Sequence, residues 1–174
     1  MGWSNRLGWD EGLHLLLAVN PLGVSTGCGF GPARPKDQLL AETFFALRRH
    51  PHPGLASLGL PAWGPYVVDK GFEGRANHQT WWRTSGAQVI CPPQRHSHVP
   101  WPKRLRRWRA GVRQSVETVD EKLWHTFRLD RERPHDLSGF QARLAAKIAL
   151  HNFCIWLNEQ LGRPRLAFAD LVAW

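Results

Sequence analysis

Two acidic residues lie at positions that are suited to catalysis or metal binding, and Asp69 is the first of them. Asp69 follows the short apolar run at residues 66–68 and precedes Lys70 and Gly71. A carboxylate just past the end of a strand, with a glycine that lets a ligand come close, is an ordinary position for a metal ligand or an acid–base group. Aspartate is also a common turn former at strand ends. The residue alone therefore leaves a catalytic and a structural role open.

Glu117 is the second acidic candidate. It borders the apolar stripe of a predicted long helix, has Arg113 one helical turn before it, and is the first acid after a run of cations. That position would place a carboxylate beside a phosphate-binding face. The alternative is an exposed ion pair between residues i and i+4, worth a few tenths of a kcal/mol. Asp120 and Glu121 compete with Glu117 for the same role.

The positive charge of the chain lies in a single stretch. The 174 residues include 23 Lys and Arg against 14 Asp and Glu, for a net charge of +9. Residues 74–116 contain no acid, and the remaining cations equal the acids in number. The cations of this stretch are Arg75, Arg83, Arg95, Lys103, Arg104, Arg106, Arg107, Arg109 and Arg113. An arginine-rich block interleaved with tryptophans is typical of a surface for a phosphate backbone, although a solvated helix face has a similar composition.

The elements that must position these residues follow from the apolar patterning. A strand hairpin is predicted at 13–30, with a turn at 20–23, and a helix at 37–49 with Leu40, Phe44 and Leu47 on one face. The strand with Asp69 and a following strand occupy 65–91, and an amphipathic helix covers 103–127. The C-terminal helix at 138–161 begins with a capping box of Ser138 and Gln141. This order predicts a single α/β domain over 1–174, with helices packed on a sheet.

The remaining side chains favour structural roles. Hydrophobic residues make up 43% of the chain, enough for a core, and no apolar run reaches the roughly 20 residues of a membrane span. Three widely spaced cysteines predict a reducing compartment rather than a disulfide framework, and Cys154 is expected to be buried. The core is also expected to contain Trp124, Phe153 and Trp156. Two histidine pairs lack a third metal ligand at useful spacing and are interpreted as polar loop residues, namely His50, His52, His96 and His98.

Nearly the whole chain resembles bacterial insertion-sequence transposases of the DDE type, whose catalytic core is RNase-H-like. The likeness rests on Gly12-Leu13-His14-Leu15-Leu16 followed by Gly23, on Val68-Asp69-Lys70-Gly71-Phe72, on Pro92-Pro93 and the basic stretch after it, on Arg113-Gln114-Ser115-Val116-Glu117, and on residues 142–158 with Leu161-Gly162-Arg163-Pro164. Its most specific part is the spacing Arg-x-x-x-Glu on a helix.

The resemblance implies an RNase-H-like mixed sheet with flanking helices and a two-metal site for DNA cleavage and strand transfer. Asp69 would be the second catalytic Asp and Glu117 the catalytic Glu, both as ligands of Mg²⁺ or Mn²⁺. Arg113 would orient Glu117 or touch a phosphate. The implied DNA-binding residues are Lys103, Arg104, Arg106, Arg107, Arg109 and Arg113. The implied partners are double-stranded DNA, at transposon ends and target, and further copies of the chain, in the bacterial cytoplasm at the nucleoid.

The sequence departs from the family pattern at the first catalytic Asp. In the family that Asp lies on a central strand upstream of the strand matched here by Leu13–Val19, and only residues 1–12 precede the match. Asp10 and Glu11 are the acids nearby, and both are expected at the wrong place. We therefore expect the C-terminal part of such a core, lacking its central strand and inactive alone. Two other hypotheses stay open: a non-catalytic DNA-binding protein derived from a transposase, and an RNase-H-like nuclease.

Overall fold

The computed structural model describes residues 2–4, 8–10, 13–32, 37–49, 65–93, 100–132 and 136–172. Its strands are β1 (Gly2–Ser4), β2 (Gly8–Asp10), β3 (Leu13–Val19), β4 (Ser25–Pro32), β5 (Tyr66–Val67) and β6 (Val89–Ile90). Its α-helices are α1 (Asp37–Arg49), α2 (Arg75–Ser85), α3 (Lys103–Glu121) and α4 (Leu137–Gln160). A π-helical turn, Lys122–Thr126, continues α3, and 3₁₀ turns lie at Lys70–Phe72 and Leu129–Arg131. The expected mixture of helices and strands is confirmed, and helix predominates.

The strands pair two by two. β1 is antiparallel to β2, β3 pairs with β4, and β5 runs parallel to β6 with Tyr66 opposite Val89 and Val67 opposite Ile90. Helix α2 supplies the crossover that a parallel pair needs. Within the described ranges the strands thus form three separate two-stranded sheets, and the one RNase-H-like mixed sheet expected from the sequence is not seen there.

The turn between β3 and β4 is the one predicted from the sequence. Gly23 N donates to Asn20 O at 3.0 Å, which closes the turn at 20–23. The Asn20 Oδ1 atom accepts from the backbone N–H groups of Leu22 and Val24 at 2.9 and 3.0 Å. Gly23 has φ +85°, and a Cβ there would lie 3.2 Å from Leu166 Cδ2. The positive φ and this close approach both favour glycine.

The chain divides into two compact units, residues 1–16 with 28–109 and residues 17–27 with 110–174. The first unit has an aromatic core built by α1, β5 and α2. The Phe45 ring lies 4.7 Å from the Tyr66 ring and 5.4 Å from the Trp81 ring, measured between centroids. Trp81 is 1% exposed. These rings therefore fix the parallel strand pair against both helices.

The buried face of α1 differs from the predicted one by a small rotation. Ala41, Phe44 and Phe45 are buried, Leu40 is half-buried, and Leu47 is 61% exposed. The expected stripe at positions 40, 44 and 47 is therefore wrong at its last member. The adjacent Phe44 and Phe45 both pack inward, so the centre of the apolar face lies between their directions.

The second unit has an aliphatic and aromatic core formed by the end of α3, the π-helical turn, α4 and the C-terminal segment. Its buried members are Val119, Leu123, Phe127, Cys154, Ile155 and Phe168, and the tip of the hairpin packs against them. The Asn152 side chain forms two hydrogen bonds with the backbone of Ser25. Its Oδ1 atom accepts from Ser25 N at 2.9 Å, and its Nδ2 atom donates to Ser25 O at 2.8 Å. The predicted burial of Cys154 is confirmed.

His151 is a polar side chain inside this core. It is 0% exposed, and its ring lies 5.7 Å from the Phe127 ring and 5.3 Å from the Phe168 ring. Nδ1 lies 3.3 Å from Asn152 Oδ1, whereas Nε2 has no hydrogen-bond partner in the described part of the chain. Burial penalises the charged imidazolium and lowers the pKa of His151.

Helix α4 begins one residue earlier than the sequence predicted. Asp136 is its N-cap, and Oδ1 accepts from Gly139 N at 2.5 Å. Ser138 lies inside the helix, so the predicted capping box with Gln141 is wrong. Asp and Ser are about equally good N-caps, and it is the Asp136 carboxylate that lies at the position where the first N–H groups need a partner.

Three aromatic side chains expected in the core are on the surface. Trp124, Phe153 and Trp156 are 49%, 52% and 53% exposed. On α4 the buried positions are instead Leu144, His151, Cys154, Ile155 and Asn158. The core expectation for the three aromatic residues is therefore wrong.

Candidate functional site

Asp69 lies at the carboxyl end of the parallel strand pair. Val68 N still donates to Ile90 O at 3.0 Å, and Asp69 then leads into the 3₁₀ turn Lys70–Phe72. Its side chain is 58% exposed, and Oδ1 lies 2.6 Å from Nη2 of Arg109 on α3. The carboxylate is thus accessible to solvent and already neutralised by a guanidinium.

The loop after Asp69 is fixed from α1. Gln38 Nε2 donates to Gly71 O at 3.1 Å and to Glu73 O at 3.2 Å, and Asn77 Nδ2 donates to Gln38 Oε1 at 3.2 Å. A Cβ placed on Gly71 would meet no atom within 4 Å. The space beside this glycine is therefore open, and crowding does not require a glycine there.

Glu117 lies on α3 and forms an exposed ion pair with Arg113, which was the structural alternative to a catalytic role. Oε1 accepts from Arg113 Nε at 2.6 Å, and the two side chains are 52% and 53% exposed. Asp120, one turn further on, has its pKa raised by partial burial. Asp69 and Arg109 belong to the first unit, and Arg113 and Glu117 to the second. Each candidate carboxylate is therefore bound to an arginine of α3 in its own unit.

The described residues do not by themselves fit a two-metal centre. No group of three or more His, Cys, Asp and Glu side chains among them could hold a metal ion. Mg²⁺ needs carboxylate and other oxygen ligands in near-octahedral geometry, and the Arg109 guanidinium already occupies Oδ1 of Asp69. Asp10 is the last residue of β2, and its side chain is not among those described. Glu11 lies outside the described residues. The same holds for the four histidines of the two pairs, His50, His52, His96 and His98.

The predicted basic helix divides into exposed and engaged cations. Lys103, Arg104, Arg106 and Arg107 are exposed and form no ion pair with a described residue; we call these four the basic surface. Arg109 and Arg113 are instead the partners of the two carboxylates. Arg75 and Arg83 of α2 are also exposed. Arg95 lies outside the described residues.

Sequence reasoning did not single out the buried polar groups of α4. His151 and Asn158 are both 0% exposed, and Asn158 Nδ2 donates to Arg165 O at 3.1 Å and Ala167 O at 2.9 Å. A signal was available, because His151 follows the apolar residues 148–150 and Asn158 follows the apolar run 153–157, and a polar group buried beside such residues is costly when it is unpaired. Both side chains are buried in the second unit, and neither adds an acidic group to the candidate site.

No helix in the described part of the chain combines the length and the apolar character of a bilayer span. Comparison of the chain with known protein families, with curated proteins and with solved structures gives no match.

Proposed function

We propose that this chain is the catalytic-core part of a DDE-type insertion-sequence transposase, that it binds double-stranded DNA through the basic surface, and that it does not cut or join DNA by itself. The observation that supports this best is the basic surface at the start of α3. Its four exposed cations have no acidic partner among the described residues. Association with further copies of the chain at DNA ends belongs to the same proposal.

Charge favours DNA over a merely solvated helix. A solvated helix face usually alternates in sign, so that its cations are paired at i+3 or i+4. Here no acid occurs between Gly74 and Glu117, and the whole net charge of +9 lies in that stretch. Lys and Arg side chains that replace the counterions of phosphates supply most of the affinity of sequence-independent DNA binding.

The strand arrangement supports the RNase-H-like part of the proposal. β5 and β6 form a parallel pair with α2 as the crossover, and Asp69 lies two residues past the end of β5. The resemblance implies a strand with the second catalytic Asp and a following strand over 65–91, and this part of the proposal rests on that strand pair alone.

The two carboxylates decide which activity is proposed. The complete family core uses two Mg²⁺ or Mn²⁺ ions, and Asp69 and Glu117 would be two of their ligands. In this chain both carboxylates are ion-paired at 2.6 Å with arginines, so cleavage is not part of the proposed activity. The same pairing favours the second candidate, a non-catalytic DNA-binding protein derived from a transposase.

A salt titration tests DNA binding. Neutralising Lys103, Arg104, Arg106 and Arg107 to Gln should weaken duplex binding about equally for unrelated sequences. It should also lower the slope of log K against log salt by up to about 3.6, at about 0.9 per lost phosphate contact. Fluorescence anisotropy with a labelled duplex measures both effects.

A charge-matched variant is the control. Neutralising Arg131, Arg143, Arg163 and Arg165 removes the same net charge from the second unit, where three of these side chains have acidic partners. We expect its salt slope to stay near the wild-type value. An unchanged slope in the first variant, or equal losses in both, would rule out the basic surface as the DNA-binding site.

A further inference from the structure

An open groove with a volume of about 480 Å³ lies in the first unit beside α2. Its walls come from α2, from the chain around β6 and from the residues just before α3. The lining side chains include Arg75, Gln79, Trp82, Gln88 and Trp101. This volume lies within the range of about 300–1,000 Å³ that is typical of sites for small organic groups.

Two indoles line this groove. Trp81 and Trp82 are adjacent on α2, but successive helix residues point about 100° apart, so Trp81 is 1% exposed in the core whereas Trp82 is 60% exposed. Trp101 is half-buried, in the segment that leads into α3. Exposed indole faces offer large flat contact areas, and nucleic-acid bases stack on such faces.

The polar groups around the indoles suit a nucleotide. The amides of Gln79 and Gln88 each provide donors and an acceptor for a base edge, and the Arg75 guanidinium can bind a phosphate. The basic surface begins two residues after Trp101. The acid that lines the groove, Glu73, is engaged in interactions of its own. The groove therefore combines aromatic faces, amide edges and positive surroundings.

Cys91 also lines the groove, but its thiol is not suited to covalent chemistry. Burial first, and the negative charge of Glu73 second, raise the pKa of Cys91 to about 11. The thiol is protonated at neutral pH, and the thiolate is the nucleophilic form. The groove is thus suited to reversible binding.

We propose that this groove binds an unpaired base of a DNA strand, stacked on Trp82 with Trp101 as a second aromatic contact and with Arg75 on the neighbouring phosphate. The proposal rests on the proposed DNA binding by the basic surface, which would hold a duplex next to the groove. The chain then prefers duplex ends with unpaired bases to blunt ends of the same duplex.

Anisotropy titrations with a blunt duplex and with the same duplex carrying a single-stranded overhang test this preference. Trp82→Ala should weaken overhang binding by about 5- to 140-fold, which corresponds to about 1–3 kcal/mol of stacking, and should leave blunt-end binding unchanged. Trp82→Phe keeps an aromatic face and should retain most of the preference. Trp124→Ala is the matched control, because Trp124 is 49% exposed and belongs to the second unit.

The outcomes separate this inference from the proposed function. Equal wild-type affinity for overhang and blunt duplexes, or equal losses in Trp82→Ala and Trp124→Ala, would overturn the base-binding groove while leaving duplex binding in place. A wild-type chain that binds neither duplex would overturn both proposals. Selective loss of overhang binding in Trp82→Ala, restored in Trp82→Phe, would support the groove.

Discussion

Acidification should destabilise the fold, because His151 binds a proton more readily in the unfolded chain than in the folded one. The folded chain keeps this imidazole neutral, since it is 0% exposed between the Phe127 and Phe168 rings and its pKa is lowered by burial. The unfolded chain takes up the proton near its ordinary pKa of about 6.5. Stability from this group is therefore complete above that pH and is lost as the pH falls below it.

Uptake of one proton sets the upper limit: the free energy of unfolding should fall by at most about 1.4 kcal/mol per pH unit below the unfolded pKa, and by at most about 2 kcal/mol at a pH of about 5. Domains of this kind are stable by only about 5–15 kcal/mol. The loss should therefore be readily measured by urea denaturation at a series of pH values.

Two variants isolate His151 from the other titrating groups. His151→Leu removes the buried imidazole, so the difference in unfolding free energy between wild type and variant should change between neutral pH and a pH of about 5, by up to about 2 kcal/mol. His125→Leu is the control for removal of an exposed histidine, and the change with pH should be larger for His151→Leu than for this variant. A pH-independent difference for His151→Leu would refute the reasoning.

Two predictions concern single contacts of α4. Asn152→Ala should lower the free energy of unfolding by about 2–4 kcal/mol, because the N–H and C=O groups of Ser25 each lose a partner. Urea denaturation measures this loss, and a value under about 1 kcal/mol would contradict the prediction. Asp136→Ala should cost about 0.5–2 kcal/mol through loss of the cap bond to Gly139, whereas Ser138→Ala should cost less. Thermal denaturation compares the two, and equal losses would contradict the observed cap.

Periodicity predicted which face of a helix is apolar but not how much of it is covered. The apolar stripe predicted for the helix at 103–127 is fully buried at Val119 in α3 and at Leu123 in the π-helical turn, half-buried at Leu105, and 44% exposed at Trp108. The period of 3.6 residues fixes the directions of side chains, whereas the neighbour that covers them comes from elsewhere in the chain. In α4 apolar residues surround the helix, so periodicity could not show that Phe153 points outward.

The two candidate carboxylates, Asp69 and Glu117, differ in how far their contacts could be predicted from the sequence. The pair of Arg113 and Glu117 is local, four residues apart on one helix, and it was one of the two roles predicted for Glu117. The partner of Asp69 is Arg109, 40 residues away, and only tertiary structure could bring these two together. The strand-end position of Asp69 was predictable from local pattern, and its catalytic role remains a prediction.

The second unit is discontinuous in the chain, and this matters for how it is made. The bonds between Ser25 and Asn152 join positions 127 residues apart, and residues 28–109, which lie between them in the chain, belong to the other compact unit. At a synthesis rate of about 5–20 residues per second, Asn152 leaves the ribosome some 6–25 seconds after Ser25. During that delay the apolar side chains at the tip of the hairpin have no core to join. Nascent chains should therefore need protection until α4 is made, because α4 completes the core that the hairpin tip packs against.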